Sequence, residues 1–180
     1  MGVLFMEFEF SLANEKDLPR IVDIYNQIIP SRLATADLEP VTIAEREAWY
    51  HSFTKTHPLW VIKNNEQKVV GWVGLEPFYG REAYEHTCEI AIYIDKSVRH
   101  HGLGTQAINF VISQLPQLGI TAIVAYIFGH NLPSLGLFKS FHFTEWGDYM
   151  QTAAVWGIFT IAVIICILMA HRFLTVSHRN

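Results

Sequence analysis

Apolar residues recur along this chain with two different periods. Phe8-Glu9-Phe10-Ser11-Leu12 alternates, as a half-buried strand does. From Glu15 to Ile29 the spacing changes, and Leu18, Ile21, Val22, Tyr25 and Ile28 fall on one helical face. Asn14 is a natural N-cap for that helix, with Asp17 at the third position, and Pro30 ends it. A loop through Thr35-Ala36-Asp37 and Pro40 leads to a second predicted helix, Ile43 to Phe53, with Trp49 on its inner side. Two strand-like runs, Trp60 to Lys63 and Lys68 to Leu75, flank the turn-forming Asn64-Asn65-Glu66. After a loop from Pro77 to Glu85, the run from Thr87 to Asp95 alternates again. Helical spacing then returns from Thr105 to Leu118 (Ala107, Ile108, Val111, Ile112, Leu115), and Gly119 is suited to close that helix. The unbroken apolar run Ile120 to Ile127 predicts a strand buried on both faces. Asn131-Leu132-Pro133-Ser134 opens a short helix through Ser140. The order β-α-α-β-β-β-α-β-α has no internal repeat and predicts an α/β domain.

Composition narrows the function. A chain of 180 residues can bury a core without disulfides or metal. The net charge is −4 and no Lys/Arg-rich patch occurs, which argues against nucleic acid as a partner. Cys88 and Cys166 share no metal or redox spacing, and a reducing compartment is the default. Met1 to Met6 has no basic segment and too short an apolar stretch for a signal peptide, so the expected location is cytoplasmic. Nine histidines invite a metal reading, but no H-x-x-x-H with a carboxylate occurs, and no metal is expected.

The chemistry concentrates at the junction Arg99-His100-His101-Gly102-Leu103-Gly104, between a strand and a helix. Glycines there let backbone N–H groups converge on a ligand, and the helix N-terminus behind them supplies roughly half a positive charge. The junction comes late in the strand order and lacks a third glycine, unlike a dinucleotide fingerprint, and no Gly-Lys-Ser/Thr marks a nucleoside-triphosphate loop. What remains is an anion cradle with Arg99 nearby. Upstream, Glu89 is a carboxylate among apolar neighbours. It is either a strand residue facing solvent or a proton acceptor with a raised pKa.

Arg99-x-x-Gly102-x-Gly104 resembles the Arg/Gln-x-x-Gly-x-Gly/Ala motif of the GNAT N-acetyltransferase superfamily, and the element order resembles that fold. More narrowly, the chain is similar to the phosphinothricin/methionine sulfoximine acetyltransferases. Asp23-Ile24-Tyr25-Asn26, Glu39-Pro40-Val41-Thr42, Arg46, Trp49, Ala83-Tyr84, Thr87-Cys88-Glu89, Ile92-Tyr93-Ile94 and Asn131-x-x-Ser134 carry that likeness. The resemblance implies a mixed, mostly antiparallel sheet with helices on both faces. Acetyl-CoA would bind between the strand at 88–94 and the strand at 120–127. Its contacts would be Ile92, Tyr93 and Ile94 along the pantetheine arm, Arg99, His100, His101, Gly102, Leu103, Gly104 and Thr105 at the pyrophosphate, and Asn131 and Ser134 beyond the next strand. Glu89 would be the base and a substrate contact. Ile90 and Ala91 would flank it, and Arg81 and Tyr84 would form the substrate wall, with Arg81 gripping a carboxylate or phosphinate. The implied reaction is direct acetyl transfer to the primary amine of a small amino-acid-like substrate. Related enzymes suggest a homodimer. A catalytically weak acyl-CoA-binding or membrane-tethered module is the alternative.

Two departures from the family pattern stand out. His142 occupies a position where the family usually closes the short helix with glycine, so either histidine accepts that backbone turn or the turn differs. The likeness covers a domain at 7–147, and 148–180 is an atypical hydrophobic C-terminal segment. Within it, 149–170 carries no charge and is long enough to span a bilayer as a helix. A membrane tail, a strand-forming remnant and an altered end all remain open.

Overall fold

The computed structural model describes residues 8–145 and 166–167. Five strands form one mixed, mostly antiparallel sheet in the order β1-β2-β3-β4-β5: β1 Glu9–Leu12, β2 Leu59–Lys63, β3 Val69–Pro77, β4 Thr87–Ile94 and β5 Ala122–Val124. The helices are α1 Leu18–Asn26, α2 Ile43–His51, α3 Leu103–Leu118 and α4 Leu132–Ser140. The chain divides into two compact units, Met1–Leu75 with Ala91–Ile112, and Glu76–Ile90 with Ser113–Asn180.

In the first unit, β1 and β3 both pair antiparallel with β2, with Phe10 opposite Ile62 and Val61 opposite Trp72. Strand alternation sends these residues to two faces. On one face Phe10 and Trp60 meet Phe110 of α3, with ring centroids 4.3 and 5.2 Å apart. On the other, Val61 and Trp72 join Ile21, Ile24 and Tyr25 of α1, and Trp49 of α2 packs against them. The Asn64 side chain accepts from the N–H groups of Glu66 and Lys68, which closes the β2–β3 turn.

The expected helix at Glu15 to Ile29 is broken into pieces. Asn14 does cap it, and Asp17 returns a bond to the Asn14 N–H at 3.0 Å, but the first turn is 3-10 and α1 begins at Leu18. Pro19 sits in the first turn, where its missing N–H costs little. The helix stops at Asn26, before the predicted end. Ile29–Ser31, with Pro30 inside it, forms a separate 3-10 turn that Arg32 closes at φ 56°.

In the second unit, β5 pairs parallel with β4, setting Cys88 beside Ile123 and Glu89 beside Val124. This strand is shorter than the run at 120–127 predicts. Ile120, Ala125 and Ile127 are nonetheless buried, so the apolar run reflected enclosure beyond the ladder itself. Gly119, at φ +70°, closes α3 with paired bonds from Gly119 N to Pro116 O and from Ile120 N to Leu115 O. The same device closes α4 with His142 in the left-handed position, at φ 60°. His142 N bonds Lys139 O, Phe143 N bonds Phe138 O, and the Phe138 and Phe143 rings touch edge-on. Of the two outcomes left open by the sequence, histidine accepts the turn.

Beyond α4, β6 (Thr144–Glu145) pairs antiparallel with β7 (Cys166–Ile167). The segment at 149–170, for which a membrane tail was one of three readings, otherwise lies outside the described residues. Its two described residues are strand, and among the described residues no helix is long and apolar enough to cross a membrane.

Candidate active site

The residues singled out by sequence fall in both units. In the second, Glu89 is half-buried in β4, and burial pushes its carboxyl up to about 7, with the negative charge of Glu76 adding to the shift. Glu76 is a residue that sequence reasoning missed. Phe78 N donates to Thr87 O across the β3–β4 hairpin, so counting two residues on along each strand sets Glu76 opposite Glu89. Like charges directly opposite destabilise a sheet. The available signal was two glutamates equidistant from a loop, which becomes legible only once the turn's length is known.

Cys88 points the other way. It is fully enclosed, and burial, with Glu89 adjoining, pushes its thiol up to about 12, which rules it out as a ready nucleophile. Ile90 shares that orientation. Its side chain is buried, so any contact it makes at the expected substrate wall runs through its backbone. The wall itself is a loop with Tyr79 and Gly80 both at positive φ, followed by a short 3-10 turn at Glu82–Tyr84. Arg81 and Tyr84 are exposed, and Tyr84 meets the Phe78 ring edge-on at 5.6 Å. Asn131 is buried and caps α4, its Oδ1 accepting from Ser134 N at 3.2 Å.

In the first unit, Ala91 packs on the aromatic core, and Tyr93 buries its ring there rather than offering it to a ligand. That ring stacks on Trp72 at 4.5 Å, and its hydroxyl donates to Ala34 O at 3.1 Å. Ile92 and Ile94 are half-buried beside it. His100 and Gly102 both take positive φ, 65° and 74°, and a Cβ on Gly102 would point into open space. Leu103 is buried and anchors the first turn of α3, with Gly104 and Thr105 next to it. His100 and His101 are exposed, and Arg99 Nε donates to Ile94 O at 3.3 Å, tying the junction to the end of its own strand. A groove of about 580 Å³ lies nearby, but none of Arg99 to Thr105 lines it, and its Lys68 and Glu66 pair with each other at 2.7 Å.

Residues 19–143 match the acetyltransferase (GNAT) family. The chain belongs to that family. Among curated relatives, this acetyltransferase is 45% identical over 146 residues to YwnH of Bacillus subtilis (strain 168), provisionally named a phosphinothricin acetyltransferase; the match covers 81% of this chain and 90% of that one. It is 28% identical over 146 residues to the L-methionine sulfoximine/L-methionine sulfone acetyltransferase of Pseudomonas paraeruginosa, covering 81% and 85%. A crystal structure of a protein provisionally called a phosphinothricin N-acetyltransferase superposes on this acetyltransferase with a TM-score of 0.87 at 39% identity, covering 91% of this chain and 99% of that one.

Proposed function

We propose that this acetyltransferase moves an acetyl group from acetyl-CoA to the primary amine of a small amino-acid-like substrate of the phosphinothricin or methionine sulfoximine type. The observation that carries the reading is Glu89, half-buried in β4 with its carboxyl near 7. An ammonium substrate must lose a proton before its lone pair can attack, and a base that titrates near neutrality is matched to that task. The backbone after β4 fits a pyrophosphate, since the turn at His100 to Gly102 is left-handed and no atom crowds the space beside Gly102.

Acetyl-CoA, when bound, supplies an activated acyl group at its thioester. Arg99, His100, His101, Gly102, Leu103, Gly104 and Thr105 would hold its phosphates, and the backbone of Ile92 to Ile94 its pantetheine arm. Asn131 and Ser134 would add contacts from the start of α4. Glu89 would take one proton from the substrate ammonium before attack; the neutral amine nitrogen would then bond the acetyl carbon as the carbon–sulfur bond breaks, its second proton passing to the departing coenzyme thiolate, with no covalent enzyme intermediate. Arg81 and Tyr84 would receive the substrate's acidic and aliphatic ends.

The test is turnover of a broad amine panel, with phosphinothricin and methionine sulfoximine included, beside calorimetric titration with acetyl-CoA. Acetylation of small amino-acid-like amines is expected. Tight acetyl-CoA binding without turnover of any amine would overturn the catalytic reading.

A further inference from the structure

Arg20, Asp23 and Gln27 lie along one side of α1 and its C-cap, and two of them reach the same residue. Arg20 Nη2 lies 2.5 Å from Asp95 Oδ2, and Gln27 Nε2 donates to that oxygen at 2.9 Å. The other carboxylate oxygen accepts from Ser97 N at 2.7 Å and Ser97 Oγ at 2.5 Å. Gln27 returns a bond through Oε1, which accepts from Lys96 N at 3.1 Å. Asp95's own backbone is engaged as well, N with Val70 O at 2.9 Å and O with Val98 N at 3.1 Å. Arg20 is braced in turn by Nε to Val69 O at 3.0 Å and by an ion pair with Asp23.

Asp95 is buried, and burial alone would raise its carboxyl. The bonds from Ser97, Gln27 and Arg20 outweigh that and hold it well below the usual carboxylate range. Arg20 is 38% exposed, and an ion pair open to solvent on one side contributes little to stability, because water screens it. What this one does achieve is local. It fixes 95–98, and the next residues are Arg99 to Gly104, with His100 and Gly102 in the left-handed region.

We propose that Asp95, gripped by Arg20 and Gln27 of the first helical segment, is a positioning residue for the coenzyme: it sets the course on which the chain enters the phosphate-holding junction. This rests on the acetyl-CoA reading above. A loop that binds through backbone N–H groups must have them aimed before the ligand arrives, or binding must supply the ordering. The Asp95 hub performs that aiming from outside the junction, touching no ligand itself.

The experiment is titration of the full chain with acetyl-CoA, with kcat, KM and melting temperature, for wild type, Gln27→Ala and Asp95→Asn. Both substitutions are expected to raise the Kd and KM for acetyl-CoA by about five- to tenfold while kcat at saturating acetyl-CoA is unchanged. Asp95→Asn keeps an oxygen for Ser97 but turns an amide NH2 against Arg20 and Gln27, both donors, and should show the larger effect. Acetyl-CoA affinity equal to wild type in the folded variants, whatever their melting temperatures, overturns the inference. Gln27→Ala decides the matter if Asp95→Asn does not fold. A wild-type protein that itself fails to bind acetyl-CoA overturns the underlying reading instead, and the two failures are told apart by the wild-type titration.

Discussion

Glu76 stands across the β3–β4 hairpin from Glu89, carboxylate facing carboxylate, and its charge adds to burial in lifting Glu89 to about 7. Replacing Glu76 by Gln removes the repulsion and leaves the burial. The acid limb of kcat/KM should then move to lower pH without reaching the ordinary carboxylate value, because burial is the larger cause. The measurement is a pH–rate profile at subsaturating amine. An unmoved limb would mean that the two side chains do not feel one another.

Glu89→Gln should lower kcat/KM by about 10²- to 10⁴-fold at pH 8 and flatten the acid limb. The sign follows from the role: a base works when deprotonated, so the wild-type rate climbs as pH rises through about 7. Retention of both the full rate and the limb would remove Glu89 from the chemistry.

The same carboxyl makes stability depend on pH. Its folded value, about 7, lies above the ordinary 4.5, so its favourable contribution is complete below 4.5 and is lost as pH rises through 7. Thermal melts should therefore show Glu89→Gln gaining on the wild type between pH 5 and pH 8, by about 1 kcal/mol after solvent screening. A constant difference across that range contradicts the raised value.

Gly102→Ala introduces no clash, since nothing lies within 4 Å of the new Cβ, but it forces a side chain onto φ +74°. The expected cost is about 1–2 kcal/mol in a denaturant melt, accompanied by weaker acetyl-CoA binding. Gly102→Asn, better tolerated in the left-handed region, should recover part of the stability and not the binding. Full affinity in both variants would mean that no ligand comes close to this turn.

What was legible in the sequence was what local chemistry decides. Asn14, Asn64, Asn131 and Gly119 each perform the turn or cap their residue type implies, because every bond involved spans five residues or fewer. Glu89 was conspicuous because a carboxylate among apolar strand neighbours either faces solvent or has a shifted pKa. Glu76 and Asp95 went unnoticed for the opposite reason. Their meaning comes from partners across a hairpin or a helix away, as with Arg20, 75 positions before Asp95. The apolar run at 120–127 misled on strand length because enclosure and ladder pairing leave the same pattern of side chains. The run at 149–170 reads as a bilayer span by composition, and the pairing of Cys166–Ile167 with β6 is the one described feature that favours its strand-forming reading.

The stack of Trp72 on Tyr93 has an optical consequence. Trp72 is 2% exposed, its indole N–H donates to Ile21 O, and Tyr93 and Tyr25 lie in line behind it, 5.0 Å apart. An indole sealed from water emits further to the blue than an exposed one, and it collects excitation from phenol rings at such range. The molecule thus carries an unlabelled reporter one residue from Ile92 and Ile94. Trp72 is one of five tryptophans, and a variant that retains it alone would show movement of this strand as a change in emission.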